Sequence, residues 1–297
     1  MPHPTGHFVA IDASNMLHRA WAMSDLEPRP ADGRPIGATR LFGRMLAKLL
    51  RRMDSGRQPP SHIALFFDPP RETSWRRAVS AAYKAHRPPL DPDLAVQIPM
   101  MQEVCHAMGL AWAVAEHHEA DDMIAAYVED GVENGMRCTI VSTDKDLMQL
   151  VRPRVLQLDT VRDTWVDAAA VTRKFGVPPE RLADFLALAG DSVDGIPGVP
   201  GIGPKAAVDL LAEFGSLGTL LRAPERILQP GRRTAVSAHA AQARLSRKLV
   251  ALDSVGAPRL LEWQEMRTPA LPAALGGLRG IIEMDLDRSR STPETAA

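Results

Sequence analysis

The sequence predicts an α/β core with a mostly parallel central sheet, followed by a separate helical module. Three observations carry this reading. Apolar runs at residues 8–12 (FVAID), 61–68 (SHIALFFD) and 138–144 (CTIVSTD) each end in an acid, the pattern of buried parallel strands whose carboxyl ends share one rim. Amphipathic stretches alternate with these runs up to about residue 167, as βα units require. Beyond that point strand patterning stops, and helical periodicity is broken by a Gly/Pro-rich run at residues 190–205.

Composition narrows the class. A chain of 297 residues, 45 % apolar and 24 % charged, suits a soluble globular protein of about two domains. The net charge of −1 requires that any nucleic-acid partner be held by local basic patches. Cys105 and Cys138 lack metal-ligand spacing and read as reduced core thiols of a cytoplasmic protein. The N-terminus carries no charged region followed by an apolar run, and no stretch approaches the roughly 18 apolar residues of a membrane span.

Taken in order, residues 8–12 form a strand presenting Asp12, and Ser14 and Asn15 cap a helix through Trp21. A basic amphipathic helix over residues 38–53 carries Arg40, Arg44, Lys48, Arg51 and Arg52. The strand at 61–68 presents Asp68. Singly, each aspartate is more often a helix cap or turn former than a ligand; two on one rim are more telling. Residues 69–99 then break the rhythm with Arg71, Arg76, Arg77, Lys84, His86 and Arg87, interleaved with Trp75 and Tyr83. Such a mixture suits gripping a phosphate backbone and stacking on bases, and a solvated loop is the plain alternative.

A helix over 94–109 and a strand over 111–115 lead to His118-Glu119-Ala120-Asp121-Asp122, which opens a helix running to about residue 135. On a helical wheel Glu119 and Asp122 share the outer face with Glu129 and Glu133, while Asp121 points inward with Ile124, Ala125 and Val128. A helix N-terminus favours each acid by about 0.3–1 kcal/mol, which does not account for an inward acid beside two others. A well-capped first turn and a metal site both remain open here. The strand at 138–142 runs into Asp144 and Asp146, with Ser142 or Thr143 capping a helix over 146–151, and residues 155–158 and 165–166 close as a hairpin.

Helices follow over 168–175 and 179–189, then the 190–205 run containing Asp191 and Asp194, a helix over 205–214 and short helices to about 252. In Gly201-Ile202-Gly203-Pro204-Lys205 the glycines permit close backbone approach and Pro204 suits a first helical position. Free N–H groups there can bind a phosphate with Lys205 adding charge; a purely structural turn is the alternative. Residues 287–297 read as a disordered polar tail.

Nine acids at strand ends and helix starts, Asp12, Asp68, Glu119, Asp121, Asp122, Asp144, Asp146, Asp191 and Asp194, would repel one another without cations. Hard ions such as Mg²⁺ or Mn²⁺ fit carboxylate oxygens, and no His/Cys cluster competes to make a zinc site. Two such ions about 4 Å apart serve phosphodiester hydrolysis.

The motifs AIDASNMLHRAW, FFDPPRETSWRR, YKAHRPP, HEADD, STDKDLMQLV and GDSVDGIPGVPGIGPKAA occur in this order. The chain thereby resembles the 5′ to 3′ nucleases related to flap endonucleases, a family that includes the N-terminal domain of bacterial DNA polymerase I and phage 5′ exonucleases. The resemblance implies a PIN-like nuclease core over residues 1–167 with a helical arch at about 69–99, a helix–three-turn–helix (SAM-like) DNA-binding domain over 168–265, and an extension over 266–297. It implies that Asp12, Asp68, Glu119, Asp121, Asp122 and Asp144 form a first metal cluster with its shell, and Asp146, Asp191 and Asp194 a second. Lys84, Arg87 and Arg76 would grip or polarise the scissile phosphate, with Tyr83 beside them on the DNA. The hairpin carrying Gly201, Ile202, Gly203 and Lys205 would hold the duplex, and in several members binds K⁺ through main-chain carbonyls. The implied partner is DNA with a 5′ flap or free 5′ end, acted on by a monomer in replication or repair.

His18 stands where the family usually has Tyr, Ala13 where Gly is common, Trp75 for Phe and Gly195 for Asn, and none of these removes a carboxylate. A catalytically silent DNA-structure binder would lack some of the acids. A PIN-like ribonuclease would share the acidic rim without the arch and the Gly-rich module. A phosphatase of the haloacid dehalogenase type is disfavoured, because Asp12-Ala13-Ser14 lacks the second Asp of that nucleophile pair.

Overall fold

The computed structural model describes residues 6–27, 33–56 and 59–290. The first half runs β1 (His7–Asp12), α1 (Ala13–Ala22), α2 (Gly37–Asp54), β2 (His62–Phe67), α3 (Trp75–Val79), α4 (Pro92–Ala95), α5 (Gln97–Ala107), β3 (Ala111–Val114), α6 (Ala120–Glu133), β4 (Arg137–Val141), β5 (Val155–Asp159) and β6 (Thr164–Val166). Helices α7 (Ala168–Phe175), α8 (Leu182–Ala189), α9 (Pro204–Phe214), α10 (Leu217–Arg222), α11 (Pro230–Ala238), α12 (Ala240–Val250) and α13 (Leu271–Arg290) follow.

The strands form one sheet in the order β3-β2-β1-β4-β5-β6. Every pairing is parallel except β5 with β6. Alternation along the central strands divides two cores. Val9, Ile11, Ile63, Leu65 and Phe67 face α1, α2, α5 and α13, whereas Phe8, Ala10, Ala64 and Phe66 face α6. With both faces covered, the strands read as unbroken apolar runs, as expected of a parallel sheet. A third core gathers Val171, Leu182, Leu186, Leu210 and Leu249 inside the helical module. Among the described residues no helix is long and apolar enough to cross a membrane.

Several local expectations are corrected. Asp12, and neither Ser14 nor Asn15, caps α1: its Oδ1 accepts from Asn15 N at 2.8 Å. The hairpin expected at 155–158 and 165–166 is present, with β5 antiparallel to β6, and what the sequence did not show is that β5 also pairs with β4 as a fifth parallel strand. A single 3-10 turn, Asp146–Leu150, replaces the helix expected after β4. Residues 287–290 of the expected disordered tail belong to α13, and residues 291–297 lie outside the described residues. The extension is tied into the core: Leu278 joins the first core cluster and Ile63 N donates to Met266 O at 2.7 Å.

Candidate metal centre

Parallel pairing sets the site. Strand β1 lies between β2 and β4, and their shared carboxyl ends deliver Asp12, Asp68 and the segment from Ser142 to Asp146 to one rim. The start of α6 adds Glu119, Asp121 and Asp122. The loop between α8 and α9 adds Asp191 and Asp194 from the helical module.

The acids fall into two groups of different order. Asp146, Asp191 and Asp194 are buried and offer carboxylate oxygens within 4.8 Å of one another, and among the described residues no other set of three does so. Asp146 Oδ1 is buried without a hydrogen-bond partner. Burial, and then repulsion from Asp144, pushes the Asp146 carboxyl up to about 7, and burial raises Asp194 as well. Such a cage lacks positive charge. Lys145 supplies part of it, donating to Asp191 Oδ2 at 2.5 Å and lying 3.6 Å from Asp146 Oδ1. Sequence reasoning passed over this lysine, although it stands between two of the acids it serves.

The second group is looser. Asp12 accepts from Asn15 N and Ser142 Oγ, both at 2.8 Å. Burial, followed by repulsion from Asp68, nevertheless pushes it up to about 7. Asp68 Oδ1 accepts from Ala120 N at 2.7 Å, and burial and then Glu119 raise its pKa. Burial would also raise Glu119, but Lys84 and Arg76 outweigh it and hold this carboxylate below its ordinary value. Tyr83 Oη donates to Glu119 Oε2 at 2.9 Å, and Lys84 Nζ lies 3.2 Å from the same oxygen.

The first turn of α6 reverses the wheel expectation. Asp122 is the acid with no exposed surface, whereas 19 % of the Asp121 side chain remains accessible. Both oxygens of Asp122 are committed: Oδ1 accepts from Arg76 Nη2 (2.7 Å) and Asp253 N (2.8 Å), and Oδ2 from Arg76 Nη1 (2.8 Å) and Trp75 Nε1 (2.9 Å). Those two donors, Trp75 Nε1 and Asp253 N, were not foreseen; no local signal in the sequence reveals a partner 131 residues away.

The basic segment over 69–99 is likewise reassigned. It forms a 3-10 turn Arg71–Thr73, the five-residue α3, a run of turns at 81–86, and α4 and α5, with no continuous arch helix. Arg76 is 1 % exposed and Tyr83 2 %, so neither is placed to hold a phosphate or stack on a base. Arg71 Nη1 donates to Arg87 O at 2.7 Å and Arg77 Nη1 to Tyr83 O at 3.1 Å, pinning the turns. Lys84 and Arg87 remain at the rim. Lys84 takes φ 49°, a left-handed conformation uncommon outside glycine, and its N–H donates to Asp194 O at 2.9 Å. Arg87 Nη2 donates to Asp194 Oδ1 at 2.6 Å.

In the hairpin, Gly201 has φ +81° and a Cβ there, or at Gly203, would meet nothing within 4 Å. Ile202 is buried in the module core while Gly201, Gly203 and Lys205 are exposed. Gly203 leads into α9 with no side-chain cap, leaving N–H groups open.

Family models describe the two halves as "5'-3' exonuclease, N-terminal resolvase-like domain", matching residues 7–176, and "5'-3' exonuclease, C-terminal SAM fold", matching residues 177–269. The chain belongs to the 5′-3′ exonuclease family. It is 43 % identical over 249 residues to DNA polymerase I of Rhizobium leguminosarum, covering 83 % of this chain and 24 % of that protein. It is 36 % identical to a 5′-3′ exonuclease of Aquifex aeolicus over 71 % of each chain. Flap endonuclease Xni of Aeromonas hydrophila is 34 % identical over 92 % of this chain and 100 % of its own length. The chain thus spans about a quarter of the polymerase relative and the whole of the flap endonuclease.

Solved structures share the fold at low identity. The T5 D15 protein co-crystallised with metal ions superposes with a TM-score of 0.69 at 17 % identity, covering 94 % of this chain and 99 % of that one. The catalytic core of Rad2 in complex with DNA substrate superposes at 0.57 and 15 % identity, covering 96 % and 89 %. The α/β core and the helical SAM-fold module expected from the sequence are both present.

Proposed function

We infer that this member of the family is a metal-dependent 5′ to 3′ exonuclease and 5′-flap endonuclease, hydrolysing DNA phosphodiesters near single-strand to double-strand junctions. The observation that carries this is the trio Asp146, Asp191 and Asp194 within 4.8 Å, with Asp146 Oδ1 buried and without a hydrogen-bond partner. An all-oxygen donor set of this kind fits Mg²⁺, with Mn²⁺ as substitute. Asp12, Asp68, Glu119, Asp121 and Asp144 would hold a further ion beside it. Divalent cations bound there supply Lewis acidity to the phosphodiester and to the attacking water.

The chain's own groups do the rest. Lys84 and Arg87 are paired to Glu119 and Asp194 at the rim, so an arriving phosphate exchanges one anion for another on these cations. The turns at 81–86 fix their backbone, and Gly195, with φ +68° and only 2.9 Å between a Cβ and Ala82 O, keeps the Asp194 loop close against it. Open N–H groups at the start of α9, with Lys205, support a duplex phosphate on the hairpin. Asp122, saturated by four donors, serves to hold α6 and is not a ligand in this reading.

The test is a 5′-labelled flap duplex in Mg²⁺, with DNA and RNA flaps side by side. Release of short labelled oligonucleotides from the DNA flap is the expected result. No cleavage in Mg²⁺ or Mn²⁺ by protein shown folded by circular dichroism would overturn the reading, and cleavage of the RNA flap alone would favour a ribonuclease.

A further inference from the structure

The residue that the sequence cast as a phosphate grip sits elsewhere, and its bonds cross the molecule. Arg76 uses all five of its N–H donors. Nε donates to Leu249 O at 2.9 Å and Nη2 to Ala251 O at 3.0 Å, both at the end of α12 in the helical module. Nη1 donates to Glu119 Oε2 at 3.0 Å, and the two Nη atoms form a fork on Asp122 at 2.7 and 2.8 Å. The guanidinium lies 4.6 Å from the Trp75 ring centroid, and Trp75 Nε1 donates to the same Asp122. Asp253 N, just beyond α12, completes the carboxylate. One buried cation therefore ties three places together: the base of the 69–99 segment, the acid-bearing start of α6, and the end of α12.

We propose that Arg76 is a positioning residue that makes the seating of the helical module a condition for the geometry of the α6 acids. The link continues through packing, because α12 lies on α8 and α8 on α9, the helix that follows the 201–205 hairpin. A planar fork is needed. Lysine offers three donors from one point and cannot reach two carboxylates and two carbonyls together. A lysine keeps the charge but, from a single nitrogen, leaves either Glu119 or Asp122 short of the donors that Arg76 gives to both.

A direct phosphate contact and a clasp predict different losses. The variants are Arg76→Lys and the paired apolar replacement Arg76→Met with Asp122→Leu; the pair removes Arg76 and the carboxylate it forks together, leaving Glu119 to Lys84, and such paired replacements are tolerated by other proteins without unfolding. Amide exchange at residues 119–123 and 249–253 of the full chain, without metal or DNA, is read by mass spectrometry. Turnover on a flap duplex is read alongside. The kinetic arm rests on the proposed nuclease reading, whereas the exchange arm stands without it.

A clasp predicts that both segments exchange at least tenfold faster in the paired variant, that kcat falls by tenfold or more, and that KM for DNA stays within twofold. Arg76→Lys should show the same pattern at smaller size. Unchanged exchange at 119–123 in both variants overturns the proposal. So does a loss confined to DNA affinity with a salt slope shallower by about one unit, the signature of a lost phosphate contact.

Discussion

Asp146 shows what burial does to a carboxylate with too few donors. Its Oδ1 has no hydrogen-bond partner, and Lys145 at 3.6 Å is the cation beside it. Asp146→Asn should slow single-turnover cleavage by ~100-fold, about 2.7 kcal/mol of barrier, while duplex affinity in Ca²⁺ changes less than twofold; an equal loss of affinity would place Asp146 on the DNA instead. Lys145→Gln removes the charge that competes for Asp191. Mn²⁺ should then bind about three- to tenfold tighter by calorimetry, ~0.7–1.4 kcal/mol, and weaker binding would contradict that competition. These acids were legible because each ends an apolar run or crowds a turn. The roles of Arg76 and Tyr83 were not. A basic aromatic run reads as solvated or nucleic-acid-facing, and only the docking of α12 against α3, seen as Arg76 Nε on Leu249 O, turns it inward.

Among the elements, α6 teaches most about where periodicity stops. The wheel assumed one buried face, but every residue from Asp122 to Val128 is buried, between the sheet on one side and residues 253–263 on the other. Tyr127 Oη donates to Leu261 O at 3.0 Å and Arg259 pairs with Asp130 on that second side. Glu119 is the extended N-cap, outside the helix, so its place on a wheel had no meaning. By contrast the Gly/Pro run at 190–205 was read correctly as irregular. The reason is visible at Gly198, where a Cβ would sit 2.4 Å from Gly190 N, so two backbone segments cross without room for a side chain. At the far end of that run Lys205 stands exposed at the start of α9. Lys205→Ala should weaken duplex binding severalfold and reduce the log-log salt slope by about one unit; an unaltered slope would leave the hairpin a structural turn.

At the scale of the whole molecule, the trio is built by both halves together, Asp146 from the end of the sheet and Asp191 and Asp194 from the helical module. The crossing follows from topology that a sequence read in order does not display. The acids crowded along this rim should be visible in stability. Asp12 and Asp146 are held near 7 against an ordinary value of 3.8. Between those values these two carboxyls hold more protons in the folded chain than in the unfolded one, so their contribution to stability falls as pH rises through that window, against the smaller opposite contribution of His18 and His62. The Tm of EDTA-treated protein should therefore drop between pH 5 and pH 8, and Mg²⁺ should raise Tm more at pH 8 than at pH 5. A Tm that climbs over this range without metal would contradict the assignment of these carboxyls. The most direct measurement is an anomalous difference map from crystals soaked in Mn²⁺. A peak enclosed by Asp146, Asp191 and Asp194, lost in Asp191→Asn, is the predicted result. A map with no peak at that trio, in crystals that bind Mn²⁺ elsewhere or not at all, would contradict the metal centre on which this account rests.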